Sequence, residues 1–409
     1  MTTPHSLQPT SDRQLTSIYT DAFAADSHSA YREMRRRHPC FGDVELAPGV
    51  PATLVIGYET AVQILNDPEH FPADPRRWQG KIPPGSPILS VLGWRPNALR
   101  SEGAEHARYR TAISDAIGAI DLHAMHAVVE DIAIALINDF CTTGQGELIA
   151  QYIYPLVCAA INTMLGIEND IGEQVAAGMA ATFGAGGDPE VGNKMLVTAL
   201  QDHLCRTRAQ PGDDVTSRLI AHAAGLTDDE LVEQIATLYG AAVEPQVHLI
   251  ANALLLMVTD ERFSGSLHDG SLSTRDALDG VLFNNPPLAN YCARYPRQPV
   301  LIEGVWLPAD EPVLVSMAAA NDDPKVRGGD RSGNRSHLAF GAGRHRCPAQ
   351  SAAYRIAQDA VDQLLDAIPD AELEVPVSEL RWRPGPFHRS LVGLPVVFPP
   401  SPPLNLVRR

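Results

Sequence analysis

The segment HLAFGAGRHRCPAQ, residues 337–350, constrains the fold and chemistry of this chain more than any other. It places Cys347 after two closely spaced glycines and directly before a proline. Gly341 and Gly343 permit a tight turn with positive φ, which only glycine adopts without strain. Pro348 suits the first turn of a helix, because the N–H that it lacks would have no partner there. The pattern therefore predicts a glycine-rich loop that delivers a thiol to the start of a helix at Pro348.

Cys347 at a helix start would face free amide groups and the positive end of the helix dipole, and this setting favours the thiolate. Next to bulky Phe340, such a thiolate has what an axial haem ligand needs, since hydrogen bonds to sulfur tune the iron and thiolate electron density favours O–O cleavage. The alternative is a buried structural cysteine at a glycine-rich turn. A zinc site is disfavoured, because His345 and Cys347 have no second ligand pair at a usual spacing.

The full pattern F-G-x-G-x-H-x-C fits from Phe340 to Cys347 and resembles the haem-ligand loop of the cytochrome P450 superfamily. The resemblance implies a P450 fold, haem b (iron protoporphyrin IX) as cofactor, and Cys347 as the ligand of its iron. It also implies cofactor contacts from Phe340, Gly341 and Ala349. Ala349 stands where the family more often has glycine.

Other segments extend the resemblance over nearly the whole chain. The stretch GAEHARYR resembles the family's helix-C segment, in which a histidine and an arginine hold the haem propionates, and it maps these roles to His106 and Arg110. Positions i and i+4 share one helical face and can hold one pair of carboxylates. Without Cys347, a solvated basic helix face would be the preferred interpretation.

Two more propionate contacts follow from the same resemblance. The stretch CARYPRQPVLIEGVWLPADEPV resembles the strand region that supplies a further propionate arginine, here Arg294. His345 would be the partner contributed by the cysteine loop.

The central helix departs from the family pattern. Where the family reads A-G-x-D/E-T, residues 241–245 read AAVEP. The threonine hydroxyl of typical members supports the protonation that leads to O–O cleavage, whereas Pro245 has no hydroxyl to donate. Pro245 also lacks the N–H that would donate to the carbonyl of Ala241, which predicts a kink in the helix. Glu244 and His248 are four residues apart, so they are predicted to share a face and to carry protons to the distal pocket, with Pro245 beside them. An ordinary core or surface histidine is the alternative for His248.

A second departure concerns the E-x-x-R pair, a structural ion pair below the haem in nearly all members of the family. Counting back from Arg294 places Gly280 at the glutamate position and Phe283 at the arginine position. Losing both partners of a buried ion pair is nearly neutral, whereas losing one leaves a buried charge unpaired. We therefore interpret this region as repacked, with apolar contacts at Gly280 and Phe283.

Helical periodicity dominates the rest of the chain, and strand-like stretches are short. The expected fold is mainly α with a minor β-sheet portion, in one large P450 domain over residues 1–409. The helix-like stretches are LHAMHAVVEDIAIALINDF, DDELVEQIATLYGAAVEPQVHLIANALLLMV and PAQSAAYRIAQDAVDQLLDAI, and the strand-like ones are PATLVIGY, PVLIEGVWL, EPVLVSM and GLPVVFP.

Charge and hydropathy exclude several partners. The net charge of −17 argues against nucleic acid or an anionic membrane as the main partner. Residues 1–14 lack the apolar stretch of a signal peptide and are expected to be flexible. The apolar run LIANALLLMV is too short to span a bilayer, so a cytoplasmic location is expected. Because that compartment is reducing, the six cysteines are expected to be mostly buried thiols.

Substrate contacts are harder to predict. The stretch FPADPRRWQGKIPPGSPILSVLGW should cover the distal pocket, although packing is a somewhat better interpretation for each of its three candidate side chains. The candidate substrate contacts are Trp78, Leu92 and Trp94 from this stretch, with Ala241 and Ala242 from the central helix. Arg344, Arg346 and Arg108 would form a basic patch near the cysteine loop for an acidic ferredoxin-type electron donor.

The Glu-Pro pair on the central helix and the altered E-x-x-R region resemble the sequences of an atypical actinobacterial subgroup of P450s. This subgroup includes enzymes that cross-link aromatic side chains of short ribosomal peptides. The resemblance therefore implies an oxidoreductase of natural-product biosynthesis that couples rings through C–C, C–N or C–O bonds. One alternative is a conventional monooxygenase that hydroxylates a small secondary metabolite. Another is a haem-based sensor or regulatory partner without catalytic activity.

Overall fold

The computed structural model describes residues 14–183, 187–264, 272–326, 328 and 334–404. Within these residues the protein is mainly helical and carries three small sheets, as predicted. The predicted flexible segment 1–14 lies outside the described residues except for residue 14. The extent of the domain over residues 1–409 stays a prediction.

Helices account for most of the regular structure. They are α1 (Asp21–Ala25), α2 (Ser27–Arg37), α3 (Tyr58–Leu65), α4 (Arg76–Gln79), α5 (Ile88–Leu92), α6 (Gly103–Gly118), α7 (Leu122–Asn138), α8 (Tyr154–Leu165), α9 (Asn169–Phe183), α10 (Pro189–Ala209), α11 (Val215–Ala221), α12 (Asp228–Thr259), α13 (Glu261–Ser264), α14 (Thr274–Asn284), α15 (Met317–Asn321) and α16 (Gln350–Ala367). A π-helical turn (Ile149–Ile153) and two 3₁₀ turns (Gly343–His345 and Val377–Glu379) complete them.

The strands form three sheets. They are β1 (Thr16–Ser17), β2 (Phe41–Ala47), β3 (Val50–Val55), β4 (Gln145–Glu147), β5 (Asn290–Arg294), β6 (Val300–Ile302), β7 (Val305–Leu307), β8 (Val313–Ser316), β9 (Glu372–Leu373) and β10 (Pro395–Val397). The largest sheet has the order β1-β2-β3-β8-β5, the second has the order β4-β10-β9, and β6 pairs with β7. All four stretches predicted as strands contain one, whereas β2, β5 and the short edge strands were missed.

Helix α12 is the central element of the core. It begins with a capping box between Thr227 and Glu230, and its 32 residues give a length of about 48 Å. It packs against α8, α10, α14 and α16. The helix continues through Pro245, so the predicted kink does not end it, although the carbonyl of Ala241 loses its usual helical donor.

Helix α12 is also long and apolar enough, by length and composition alone, to cross a membrane. Of its most apolar window, 61% is buried inside the protein, as in the core helix of a globular domain. Most of this window is therefore already covered by protein.

A β-bulge in β5 lies directly before Arg294, one of the predicted propionate contacts. The pairing of β5 with β8 shifts register between Tyr291 and Arg294, and Cys292 within the bulge has a φ of 51°. Bulges redirect the side chains that follow them. Arg294 at the end of the bulge is only 4% exposed.

Candidate active site

The cysteine loop adopts the turn that its glycines predict. Gly341 and Gly343 both have a φ of +67°. A β-carbon at Gly343 would lie 2.2 Å from the carbonyl oxygen of Leu65, so this position excludes every other residue. The amide of Cys347 donates to the carbonyl of Phe340 at 2.9 Å and closes the loop. The loop geometry is therefore set by backbone contacts that tolerate no side chain at Gly343.

The helix after the loop begins later than predicted. Helix α16 starts at Gln350, and Pro348 and Ala349 form a turn before it. Burial raises the pKa of the Cys347 thiol, while the Ala349 amide and the positive charges of Arg110 and Arg346 act in the opposite direction. Desolvation thus acts against the thiolate that the helix start is predicted to favour, and the thiolate form stays a prediction. Iron would supply the missing stabilisation, since a coordinating thiol loses its proton.

The four residues predicted to hold propionates come together. The rings of His106 and His345 lie 4.1 Å apart, centre to centre. Arg110 donates to the carbonyl of Arg346 next to Cys347. Arg294 is buried, and its guanidinium donates to the neighbouring carbonyl of Ala293 at 2.9 Å. We refer to His106, Arg110, Arg294 and His345 as the cationic cradle.

The cradle contains no acidic residue of its own, and the Glu102 carboxylate contacts only its His345. Burial lowers the pKa of both Arg110 and Arg294. Burial and the neighbouring His345 lower the pKa of His106 to about 4, and the Nε2 atom of His106 is buried without a hydrogen-bond partner in the described part of the chain. Buried cations and an unpaired nitrogen are the features that a bound dicarboxylate would satisfy. The cradle therefore fits the propionates of haem b.

Glu102 is a member of this region that sequence reasoning missed. It precedes α6, and its carboxylate lies 3.3 Å from Nε2 of His345 and 2.9 Å from Arg344. Burial acts to raise its pKa, but the hydrogen bond and charge of His345 prevail and lower it to about 2. No local pattern marks Glu102, because the two side chains that it contacts here, Arg344 and His345, lie more than 240 residues away in the sequence.

Three donor groups here also satisfy the distances of a metal site. Ligand atoms of Glu102, His106 and His345 all lie within 4.8 Å of one another. However, Arg344 contacts the same carboxylate, and Arg294 lies close enough to act on the charge of His345. Fixed positive charge disfavours a cation and favours an anionic ligand. We therefore assign the cluster to carboxylate binding.

Removing single members of the cradle should weaken haem retention. Each charge-assisted hydrogen bond contributes about 1.5–3 kcal/mol, so each alanine variant should release haem roughly tenfold faster or more. The rate is measured by transfer to excess apomyoglobin. Arg76→Ala is a suitable control, because Arg76 is an exposed arginine that pairs with Asp74 and Glu105 outside the cradle. Unchanged release in all four cradle variants would contradict the assignment.

The pair predicted on the central helix is present. Nε2 of His248 lies 2.9 Å from the carboxylate of Glu244. Arg383, which sequence reasoning missed, donates to the same carboxylate at 2.9 Å. Burial acts to raise the pKa of Glu244, but His248 and Arg383 prevail and hold it well below its usual range. Glu244 is therefore a fixed carboxylate shared by two partners.

His248 keeps one nitrogen without a protein partner. It is 3% exposed, and burial lowers its pKa, so the ring is neutral near pH 7. Its Nδ1 atom is buried with no hydrogen-bond partner among the described residues. A neutral imidazole with one nitrogen on a carboxylate and the other unpaired can accept and pass on a proton.

The missing E-x-x-R pair is confirmed as repacked. Phe283 is 5% exposed, and its ring meets that of His337 edge-on at 5.3 Å. At Gly280, a β-carbon would make an ordinary contact of 3.5 Å with Leu256. An apolar ring thus occupies the position at which the family carries its arginine.

The predicted substrate contacts differ in exposure. Trp78 and Leu92 are buried in the hydrophobic core, with Trp78 packed against Tyr295 at 5.5 Å, so packing explains both. Trp94 is half-buried, and its ring Nε1 has no partner in the described residues. Ala241 is exposed and Ala242 half-buried on α12.

The basic patch near the cysteine loop is smaller than predicted. Arg344 and Arg346 are exposed beside Cys347. Arg108, in contrast, pairs with Glu230 at the start of α12 and stacks over Tyr109. Its charge is neutralised within the fold.

Comparison with known proteins agrees with the fold. No protein-family model matches the chain. It is 27% identical to the cytochrome P450 monooxygenase PikC of Streptomyces venezuelae, covering 91% of each chain. It is 26% identical to the 2-hydroxy-5-methyl-1-naphthoate 7-hydroxylase of Streptomyces carzinostaticus, covering 92% of this chain and 96% of the relative. The solved structure of CYP154C4 from a Streptomyces species superimposes with a TM-score of 0.86 at 25% identity, covering 95% of this chain and 99% of that one.

A helical fold around α12, a glycine-defined cysteine loop and a buried cationic cradle define a haem-thiolate protein. The chain has the cytochrome P450 fold and is similar to a P450 monooxygenase over 91% of its length, and it is an oxidoreductase with haem b as its cofactor. Haem b supplies redox chemistry with dioxygen, and Cys347 is the residue predicted to hold its iron.

Proposed function

We propose that this P450 cross-links aromatic side chains within a short ribosomal peptide in natural-product biosynthesis. The reaction removes one hydrogen atom from each of two side chains and joins them by a C–C, C–N or C–O bond. These two hydrogen atoms, together with dioxygen, two electrons and two protons, form two molecules of water. The electrons would come from a ferredoxin-type donor.

The observation that carries this proposal is Pro245 in the middle of α12. Proline offers no hydroxyl, and the adjacent Glu244 carboxylate is held by Arg383 and His248. Because Glu244 stays ionised, it holds no proton to donate, and protons must pass through His248 or water. Because the hydroxyl that typical members carry is missing here, we favour a reaction in which a substrate ring, held in position, gives up hydrogen.

A second candidate is hydroxylation of a small secondary metabolite. It is favoured by the two curated relatives, whose names are those of a monooxygenase and a hydroxylase. In that case water or a substrate hydroxyl would replace the missing threonine. The relatives are enzymes, so they give no support to a non-catalytic sensor.

The electron donor would dock on the exposed pair Arg344 and Arg346. Both lie beside Cys347, and the protein as a whole carries a net charge of −17, so this small positive surface would orient an acidic ferredoxin. Arg108 pairs with Glu230 and Arg344 pairs with Glu102, so the charge of Arg346, which donates to the neutral Gln350, is the least compensated on this surface.

Mass spectrometry with labelled dioxygen should separate the two candidate reactions. The holoenzyme, an electron donor and a short tyrosine-containing peptide are incubated under ¹⁸O₂. We expect a product that has lost two hydrogen atoms and carries no label. A product with one labelled oxygen would support the hydroxylase instead and overturn cross-linking.

Pro245→Thr should shift the outcome towards oxygen insertion, because it restores the hydroxyl that typical members carry. The ratio of labelled to unlabelled product measures the shift. Val243→Thr provides a matched control, since it adds a hydroxyl two residues away at a position buried in the core. Equal ratios in the wild type and in Pro245→Thr would mean that the missing hydroxyl does not determine the reaction.

A further inference from the structure

A buried polar cluster ties the cysteine loop to α14 and α16. Its centre is Asp279 of α14, whose side chain is only 10% exposed. Tyr354 of α16 donates its hydroxyl to Asp279, and Arg335 donates to the same carboxylate at 3.3 Å. Arg275 lies 3.7 Å from it and covers the Tyr354 ring at 3.5 Å. With His337, described next, these residues form a cluster that we call the loop clamp.

His337 connects this cluster to the loop. Its Nε2 atom lies 3.1 Å from the Tyr354 oxygen. Because the tyrosine hydrogen is directed at Asp279, His337 must be the donor in this contact. Burial lowers the pKa of His337 to about 4, so the ring is neutral and donates from Nε2 alone. The chain of hydrogen bonds thus runs from His337 through Tyr354 to Asp279.

The loop clamp holds both ends of the cysteine loop. His337 is the first residue of the segment, and Tyr354 lies seven residues after Cys347 on α16. Phe340 packs between them, with its ring 5.8 Å from His337 and 5.6 Å from Tyr354. The Phe340 carbonyl in turn accepts from the Cys347 amide. A shift of either end would therefore move the sulfur.

We propose that the loop clamp takes over the role of the ion pair lost at Gly280 and Phe283, and that Asp279 and Tyr354 are positioning residues for Cys347. In this arrangement the carboxylate is at position 279 of α14, one residue before the position at which the family carries its glutamate. The two arginines are Arg275, one turn before Asp279 on α14, and Arg335, in the segment before the cysteine loop. Phe283 fits this arrangement, because its ring packs against His337 and shields the cluster.

The alternative is that the cluster only adds stability. Tyr152→Phe provides a matched control for that case. Tyr152 is fully buried and donates its hydroxyl to the carbonyl of Ala360 at 2.6 Å, so it also ties a neighbour to α16. It has no contact with the loop clamp among the described residues. Loss of its hydroxyl reports the general cost of a buried hydrogen bond on this helix.

The test compares Tyr354→Phe and Asp279→Asn with Tyr152→Phe as purified holoenzymes. We measure the fraction of the ferrous carbonyl complex that keeps the absorption band of thiolate ligation, the rate of haem release, and the melting temperature. Loss of a hydrogen bond to a charged group should speed haem release by roughly tenfold in the clamp variants. The thiolate fraction should fall in the clamp variants and stay unchanged in Tyr152→Phe.

Arg335→Ala keeps the proposal testable if the core variants fail to fold. Arg335 is 55% exposed, so its removal spares the core while it weakens the charge balance at Asp279. We expect a smaller loss of the thiolate band with little change in melting temperature. The proposal is overturned if the clamp variants lower the melting temperature as Tyr152→Phe does but keep the thiolate fraction and the release rate of the wild type. It is also overturned if Arg335→Ala alone can be purified and matches the wild type.

Discussion

Cys347→Ala is expected to abolish the thiolate signature of the ferrous carbonyl complex. Cys347 is the cysteine that the glycine-defined turn presents at the start of α16, next to the cationic cradle. Without its sulfur, the iron loses the ligand that sets its electronic properties. The absorption spectrum of the carbonyl complex measures the change directly, with haem content and melting temperature recorded in parallel.

Cys292 is the matched control for this experiment. It is the other thiol near the loop, since its sulfur lies 3.5 Å from where a β-carbon on Gly341 would stand. Burial raises its pKa, and the fold places it in the β5 bulge. Cys292→Ala should therefore keep the thiolate band. A Cys347→Ala protein that retained the band would refute the assignment, and its loss in Cys292→Ala would transfer the role to Cys292.

Short-range rules made the cysteine loop predictable. The positive φ angles at Gly341 and Gly343 follow from the backbone alone, and the structure confirms both. The pairing of Glu244 with His248 follows from helix periodicity in the same way. The error at Pro348 is one of boundary, because a turn intervenes before α16 and local sequence does not fix where a helix begins.

Long-range partners escaped the sequence analysis. Arg383 reaches Glu244 across 139 residues, and Tyr354 reaches Asp279 across 75. Such contacts depend on how β-strands and helices pack, which no local pattern encodes. The loss of a charge pair at Gly280 and Phe283 was visible in the sequence, but its replacement at Asp279 was not.

Phe283→Arg is expected to destabilise the protein by about 3 kcal/mol or more, because a guanidinium would replace a buried ring without a free partner. Asp279 lies one turn away, but its carboxylate already takes Tyr354 and two arginines. A third guanidinium would add net positive charge to a closed site. Thermal or denaturant unfolding measures the effect.

Two further variants separate charge from shape at this site. Phe283→Leu keeps the position apolar and should cost about 1.5 kcal/mol or less if the neighbours repack. Gly280→Glu combined with Phe283→Arg supplies a carboxylate three residues before the guanidinium, and the space at Gly280 accepts a β-carbon. We expect the double variant to recover much of the loss, since a buried pair is far less costly than one buried charge. If Phe283→Arg alone kept wild-type stability, the new arginine would have displaced a partner of Asp279. The thiolate band of that variant would then show whether the loop clamp is still intact.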